Sequence, residues 1–510
     1  MRLFALLLIL IPAASLAAAP TAVPTFHSIG LYWSPQGGSE SNAARVEFRK
    51  SGTSAWRQGL DLWFDARNGE YRGSLVELDP GSTYEIKLSL QSGLTETLPA
   101  QTWSEKFPIK RTVEVQPGKR LVIRPEDSGD EKGYVLFTAP AGRNVIDVKE
   151  EDSCVLIEQG AHHVIVRGLV LISCKRYGVL FQRERKGESG ARTHDVVIEA
   201  NEIAGWGASG IKKPGIADSD AAIHCNYYRE NDDAQRPDRI IIQGNRIRDP
   251  RHGSNPWRSS AHGRLHPYGP LGVMFNRCGR NHVIRYNDIG SANGNHYKDG
   301  LGGGDNFSDA GFPWADSDLY ANRISNVYDD AIEAEGGNRN VRIWGNSFDR
   351  VFVAIANAPV TTGPLYVWRN VSHRQSGMND PEGLAKRPQR GQFIKAGSRK
   401  AAANGGRAYY FHNTAHDAGW GIHRVGRLYN FVSRNNVWPK PYLSPNDGPF
   451  DIESDFDRPG RGSAVRIPNF NDRYPRPDAG AQQSGAPPMR FGAEWISPRT
   501  SSAAAGVIAK

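Results

Sequence analysis

Eight segments along this chain end in asparagine: VVIEAN at Asn201, IIIQGN at Asn245, HVIRYN at Asn287, SDLYAN at Asn322, VRIWGN at Asn346, LYVWRN at Asn370, AYYFHN at Asn413 and FVSRNN at Asn436. Each is short and rich in β-branched or aromatic residues, so each reads as a strand. From Asn322 to Asn346 and from Asn346 to Asn370 the interval is 24 residues, and several others are close to once or twice that. A recurring period of this size implies one unit stacked on itself. Asn tolerates left-handed backbone and its amide can bond the Asn of the next unit, so a column of them would hold successive bends in line. A sandwich of antiparallel strands gives no reason for Asn always to follow the strand.

A second column lies between these strands: YGVLFQ ending at Gln182, AAIHCN at Asn226, LGVMFN at Asn276, DGLGGG at Gly304, DAIEAE at Glu335, VAIANA at Ala358, QFIKAG at Gly397 and WGIHRV at Val425. Aligning their central apolar residues gives an inward stack of Val179, Ile223, Val273, Leu301, Ile332, Ile355, Ile394 and Ile422. Side chains alternate along a strand. The following residues, Leu180, His224, Met274, Gly302, Glu333, Ala356, Lys395 and His423, should therefore face outward.

These two columns resemble the right-handed parallel β-helix of the pectin-lyase-like superfamily, in which Asn ladders mark one bend of each coil. The expected helix spans residues 118–438, followed by a Pro- and Gly-rich tail, 439–510, read as wrapped or partly disordered. Residues 24–105 carry alternating segments such as IGLYW and YEIKLSL, the pattern of a β-sandwich. Within it, Leu78 to Tyr84 (LDPGSTY) resembles the tyrosine corner of fibronectin type III domains, and Trp33 resembles their core Trp. The expected class is all-β: a fibronectin type III-like β-sandwich followed by a right-handed parallel β-helix.

The first residues, MRLFALLLILIPAASLAAAP, have the form of a secretory signal peptide, taken as 1–19. Its apolar run is too short to span a bilayer, and no later stretch is apolar enough. The expectation is a secreted or periplasmic monomer with no membrane span. Four cysteines are too few for a disulfide scaffold. Cys154 and Cys174 either pair or remain buried thiols, and Cys225 is read as core. The net charge of +9 favours a polyanionic partner. Export and the lack of a concentrated basic run argue against nucleic acid, leaving an acidic polysaccharide.

Against that basic background, DDAIEAEGG gathers Asp329, Asp330, Glu333 and Glu335. Like charges this close need a cation, a shared proton or open water. By alternation Glu333 and Glu335 share one face about 6.5–7 Å apart at Cα, Asp329 opens the strand and Asp330 is read at its turn. Gly302, Gly304, Ala356 and Ala358 on neighbouring coils suggest a groove. The segment also resembles the double-Asp region of family-nine pectate lyases and of polygalacturonases. In the lyases such acids hold Ca²⁺ and a Lys on a nearby coil is the base; in the hydrolases the acids act directly. The GHG and RIK segments of polygalacturonases are absent from this sequence.

The preferred reading is a lyase acting on a uronate-containing polysaccharide by β-elimination. Asp329, Asp330 and Glu333 would hold Ca²⁺, and Lys298 or Lys395 would be the base. His423, His224 or Arg424 would protonate the leaving oxygen or bind carboxylate, with Asn226 and Asn276 lining the substrate path. A glycoside hydrolase using Glu333 and Glu335 is the alternative, and a C5-epimerase a further variant. A non-catalytic glycan-binding or adhesive solenoid is the plainest. HHVIVRG, 162–168, opens a strand with two histidines. Alternation sends them to opposite faces, which argues against a shared metal. DGLGGGDN, 299–306, is read as a coil with a flattened surface and not as a phosphate loop, because neither a helix pattern nor Lys-Ser/Thr follows.

Overall fold

The computed structural model describes residues 18–495 except 141, 150, 184–189, 209–219, 229–232, 259–265, 378–390, 401–404, 440–442, 444–446 and 459. Most of the expected signal peptide, parts of the stretches 207–220 and 248–270, whose Gly, Pro, Arg and His read as long loops inserted between coils, and the last residues of the tail therefore lie outside it.

Two architectures follow one another. Strands from Thr21–Pro24 to Thr95–Gln101 form two four-stranded antiparallel sheets, a β-sandwich. Its core contains Trp33, 2% exposed, together with Leu31, Val46, Ile86 and Leu88. The Tyr84 hydroxyl accepts a 2.8 Å bond from the Asp79 amide, the local tie expected of the corner segment.

The remainder is a parallel β-helix built from a 12-stranded and a 17-stranded sheet, the latter combining two columns of parallel pairs. The inward stack has the expected register throughout, with Val179 opposite Ile223, then Val273, Leu301, Ile332, Ile355, Ile394 and Ile422. All eight are 0% exposed. Burying each aliphatic side chain contributes about 1.5–3 kcal/mol, and a one-residue slip in any coil would turn its apolar set outward.

The asparagine ladder also forms, by a different division of labour. The residue before each Asn, from Ala200 and Gly244 to His412 and Asn435, is the left-handed one, with φ between 52° and 64°. The Asn supplies the bonds. In a typical rung, the Asn322 amide and Nδ2 both donate to Asn346 Oδ1 at 3.0 Å, while Nδ2 also donates to the Ile284 carbonyl at 2.9 Å. Asp455 extends the ladder by accepting from Asn436, and Phe450–Glu453 adds a parallel strand beside Phe431–Arg434. The stretch read as a tail therefore contributes a further strand, Phe450–Glu453, to the helix. Farther on, Ile467 and Phe470 pack against Val76 of the sandwich and Trp368 of the helix.

All four cysteines are paired, Cys154 with Cys174 and Cys225 with Cys278. The reading of Cys225 as a plain core residue is corrected to a core disulfide: it points inward, and Cys278 on the following coil meets it there. Sandwich and helix join through buried polar contacts. Tyr32 donates to Asp316 at 2.6 Å, and Arg72 donates to the Gly363 carbonyl at 3.0 Å. No helix among the described residues is long and apolar enough to cross a membrane.

Candidate active site

The outer column forms in the expected register. Leu180, His224, Met274 and Gly302 follow one another, and Glu333 pairs with Ala356, then Lys395 and His423. The acidic coil departs from regular alternation. Strand Arg323–Glu333 shifts register between Val327 and Asp330, so Asp330 stands beside Val353. Val353 packs with Phe352, Ala356 and Trp257 on the outer side, while Ala331 and Ile332 belong to the core. Asp330 lies within the strand, not at its turn. It shares the wall that carries Glu333 because the same position in neighbouring coils (Ala221, Leu271, Val353) also lies outside the core, with Ala331 and Ile332 both turned inward.

Five carboxylates meet there. Asp330 donates its amide to Asp299 Oδ1 at 3.2 Å, and donor atoms of Asp299, Asp329 and Asp330 lie within 4.8 Å of one another. Lys395 reaches across from its coil to Asp330 at 2.7 Å and Glu335 at 3.2 Å. Lys298 sits 3.3 Å from Asp299. Asn306 Nδ2 bridges the two glutamates, 3.0 Å from Glu333 Oε1 and 2.8 Å from Glu335 Oε2. His266 stands 3.2 Å from Asp329 and packs on Trp257.

The expected open groove is corrected in one respect. Glu333 is 8% exposed, Glu335 5%, Asp329 3%, and Asp299 and Asp330 0%. These acids lie outside the apolar core yet are covered by their neighbours. The small residues matter for contact as much as for access: a Cβ on Gly302 would come within 3.1 Å of Glu333 Oε2.

Burial and crowding act together on charge. Burial, reinforced by Asp299, pushes the Glu333 carboxyl up to about 8. Asp330 is held well above the carboxylate range by burial and by Asp329, Glu335 and Asp299, against the pull of Lys395. Burial works against the Lys395 ammonium, but Asp330, Glu335, Asp329 and Glu333 outweigh it and hold the amine well above its ordinary value. In the protein alone, Lys395 is a fixed counterion.

The other expected residues divide. His423 is next to Lys395 in the column, and burial, with Arg424 and Lys395, lowers it below the ordinary histidine range. Asn276 donates to Asn226 at 2.9 Å and lies against Gly304, continuing a polar strip toward the acids. Arg424 is in register with the core residue Ala396 and donates to the Gly426 carbonyl at 2.8 Å, so it turns away from Lys395. His224 does not serve as an accessible ligand or proton donor. It is 6% exposed, its ring packs on Tyr177 at 4.3 Å, and burial pushes it down to about 3.

Sequence reasoning left three contributors out of the expected site. Asp299 stands next to Lys298, one coil before the acidic one, without an expected role; Asn306 closes the DGLGGGDN segment that Asp299 opens, read as a flattened coil. His266 lies in the insert 248–270, and only its folding back onto Asp329 reveals it.

No protein-family model matches this chain, and no curated protein matches it.

Proposed function

We propose that the protein is an exported carbohydrate-active enzyme of the pectin-lyase-like kind that cleaves a uronate-containing polysaccharide by β-elimination. The observation that carries this reading is the convergence of Asp299, Asp329 and Asp330 within 4.8 Å of one another, with the Lys395 amine 2.7 Å from Asp330. Two disulfides favour an oxidising compartment, and the net charge of +9 attracts a polyanion.

The donor set fits Ca²⁺. All the donors are hard carboxylate oxygens, and Asp330 Oδ1 is buried without a hydrogen-bond partner. Asp299, Asp329 and Asp330 would hold the ion, with Glu333 beside them. Bound there, Ca²⁺ would neutralise the uronate carboxylate and make the adjacent C5 proton more acidic. Lys395 takes that proton; the electron pair forms the C4–C5 double bond and the C4–oxygen bond breaks. His423, next in the column, would donate an N–H hydrogen bond to the leaving oxygen, which takes its proton from water. Lys395 can work as a base only when its carboxylate partners are engaged elsewhere, which makes cation and base interdependent. Asn306 fixes the two glutamates, and Asn226 and Asn276 extend the polar strip along which sugar units would lie.

One observation favours a hydrolase instead. Glu333 keeps its proton up to about pH 8, as a general acid requires. The Asn306 bridge, 3.0 Å from a Glu333 oxygen and 2.8 Å from a Glu335 oxygen, holds the two carboxyls side by side, compatible with the closer spacing of retaining glycosidases. A single experiment separates the readings. Full-length protein is incubated with anionic and neutral polysaccharides, in Ca²⁺ or EDTA, while ultraviolet absorbance of unsaturated product and reducing ends are followed. Elimination gives both signals, loses them in EDTA and loses them with Lys395→Ala. Hydrolysis gives reducing ends alone, survives EDTA and fails with Glu333→Gln. Turnover untouched by either substitution overturns this site, and no turnover on any glycan overturns both readings.

A further inference from the structure

The two histidines of HHVIVRG do not face opposite ways. Strand His162–Arg167 pairs with His194–Glu199 on the next coil, with His162 opposite His194 and then Val164 opposite Val196. His163 and Asp195 fall between those pairs, and both have left-handed backbone, φ 50° and 52°. A residue in that conformation breaks the two-residue alternation of a strand. Val164 and Val196 enter the core, whereas the four preceding side chains gather outside it.

The contacts among them are close. His162 Nδ1 is 3.1 Å from His163 Nδ1, and the His162 and His194 rings stack at 4.9 Å. His194 Nδ1 is 2.8 Å from Asp195 Oδ2, and His163 Nε2 is 3.9 Å from the same oxygen. One donor atom each from His163, His194 and Asp195 lies within 4.8 Å of the other two. The Asp195 carboxylate is divided. Oδ1 accepts from Tyr134 at 3.4 Å and pairs with Arg239 at 2.9 Å, leaving Oδ2 toward the imidazoles. Asp130 adds negative charge near His162 and His163.

We propose that His163, His194 and Asp195, with His162 beside them, bind a zinc-type divalent transition metal that ties two successive coils together. Donors about 2.0–2.2 Å from one ion stand about 3–3.5 Å apart, and the donor atoms of His163, His194 and Asp195, within 4.8 Å of one another, need only small side-chain movement to reach that spacing. Imidazole nitrogen with one carboxylate oxygen suits zinc, nickel or copper and suits calcium poorly. The side chain of His163 is 12% exposed and that of His194 34%, leaving a route for the ion. The site lies at the entrance to the 12-stranded sheet, on a different wall from the carboxylates, and is independent of the catalytic reading.

The test uses untagged full-length protein stripped of metal. Zn²⁺ binding is measured by calorimetry, Co²⁺ binding by its visible absorption, and melting is followed with and without Zn²⁺. The comparison is His163→Asn with His194→Gln, because Asn tolerates left-handed backbone and both changes remain polar. Wild type should take up Zn²⁺, gain thermal stability and give visible Co²⁺ bands, with affinity falling at least tenfold in the double variant. A variant that melts like the metal-free wild type but no longer responds to Zn²⁺ supports the site. Equal Zn²⁺ affinity in both proteins, or a wild type that neither binds nor is stabilised, overturns it. If the double variant fails to fold, Asp195→Asn alone is read by the same Co²⁺ spectrum, and an unchanged spectrum overturns the site.

Discussion

Glu333→Gln is expected to change the pH dependence of stability in a direction that most losses of a buried charge would not. Glu333 has an ordinary value of 4.5 and is pushed up to about 8 in the folded protein. The folded state therefore holds its proton more tightly than the unfolded state does. That preference adds stability that is complete below about pH 4.5 and is lost as pH rises to about 8. Each pH unit of difference is worth about 1.4 kcal/mol, so ionising this side chain in the folded protein costs on the order of 5 kcal/mol. Gln has the shape of the neutral acid, and its oxygen can still accept from Asn306. In acid the variant should match wild type within about 1 kcal/mol; above about pH 8 it should be the more stable, by up to about 5 kcal/mol.

The measurement is urea unfolding of both proteins in EDTA at a series of pH values, followed by tryptophan fluorescence. Asp330, and Asp316, pushed up to about 6 by burial, slope in the same direction. The diagnostic quantity is therefore the difference between variant and wild type. If that difference stays flat between about pH 4.5 and 8, Glu333 is not ionising in a buried, crowded site, and the electrostatic account of the cluster fails. Saturating Ca²⁺ should flatten the wild-type curve through the same window, because a cation replaces the proton as the source of relief.

Two further outcomes concern the scaffold. Asn346→Ala removes the acceptor of the Asn322 amide and the donor to the Leu319 carbonyl. Two or three buried groups left unpaired at about 1–3 kcal/mol each should lower stability by roughly 3–5 kcal/mol in denaturant titration, and a loss under 1 kcal/mol would show the ladder to be ornamental. Replacing Cys225 and Cys278 by Ala opens a loop spanning 53 residues and should cost about 4 kcal/mol, against about 3 kcal/mol for Cys154 and Cys174, separated by 20; a reversed order would refute the loop-entropy explanation.

The register of the helix was legible because burial enforces it. Each coil must send one aliphatic residue inward, so aligning Val179 through Ile422 also aligned everything facing out, including Glu333, Ala356, Lys395 and His423. The ladder was legible in position and misread in detail. Asn436 and its equivalents mark the bend, but their amides do the bonding while the preceding residue, whether Gly345, Arg369 or His412, adopts the left-handed backbone. Nothing in the side chain of Arg369 announces that conformation; the stack of coils imposes it.

The same cause explains why both candidate metal clusters exceeded what alternation could show. At Asp330 two successive inward residues, Ala331 and Ile332, and at His163 and Asp195 a left-handed residue, each leave a side chain on a face that strict alternation would not give it. Such departures cost conformational energy and persist only where the surrounding coils hold them. Here they collect charged and imidazole groups that would otherwise be dispersed. The two results differ in donor chemistry: carboxylate oxygens alone around Asp330, imidazole nitrogens with one carboxylate at His163. A hard and a borderline cation would therefore partition between them. It follows that Ca²⁺ and Zn²⁺ should stabilise wild type additively, since the clusters share no residue and stand on different walls. Competition between the two ions for one stabilising effect would show that the clusters do not bind cations independently.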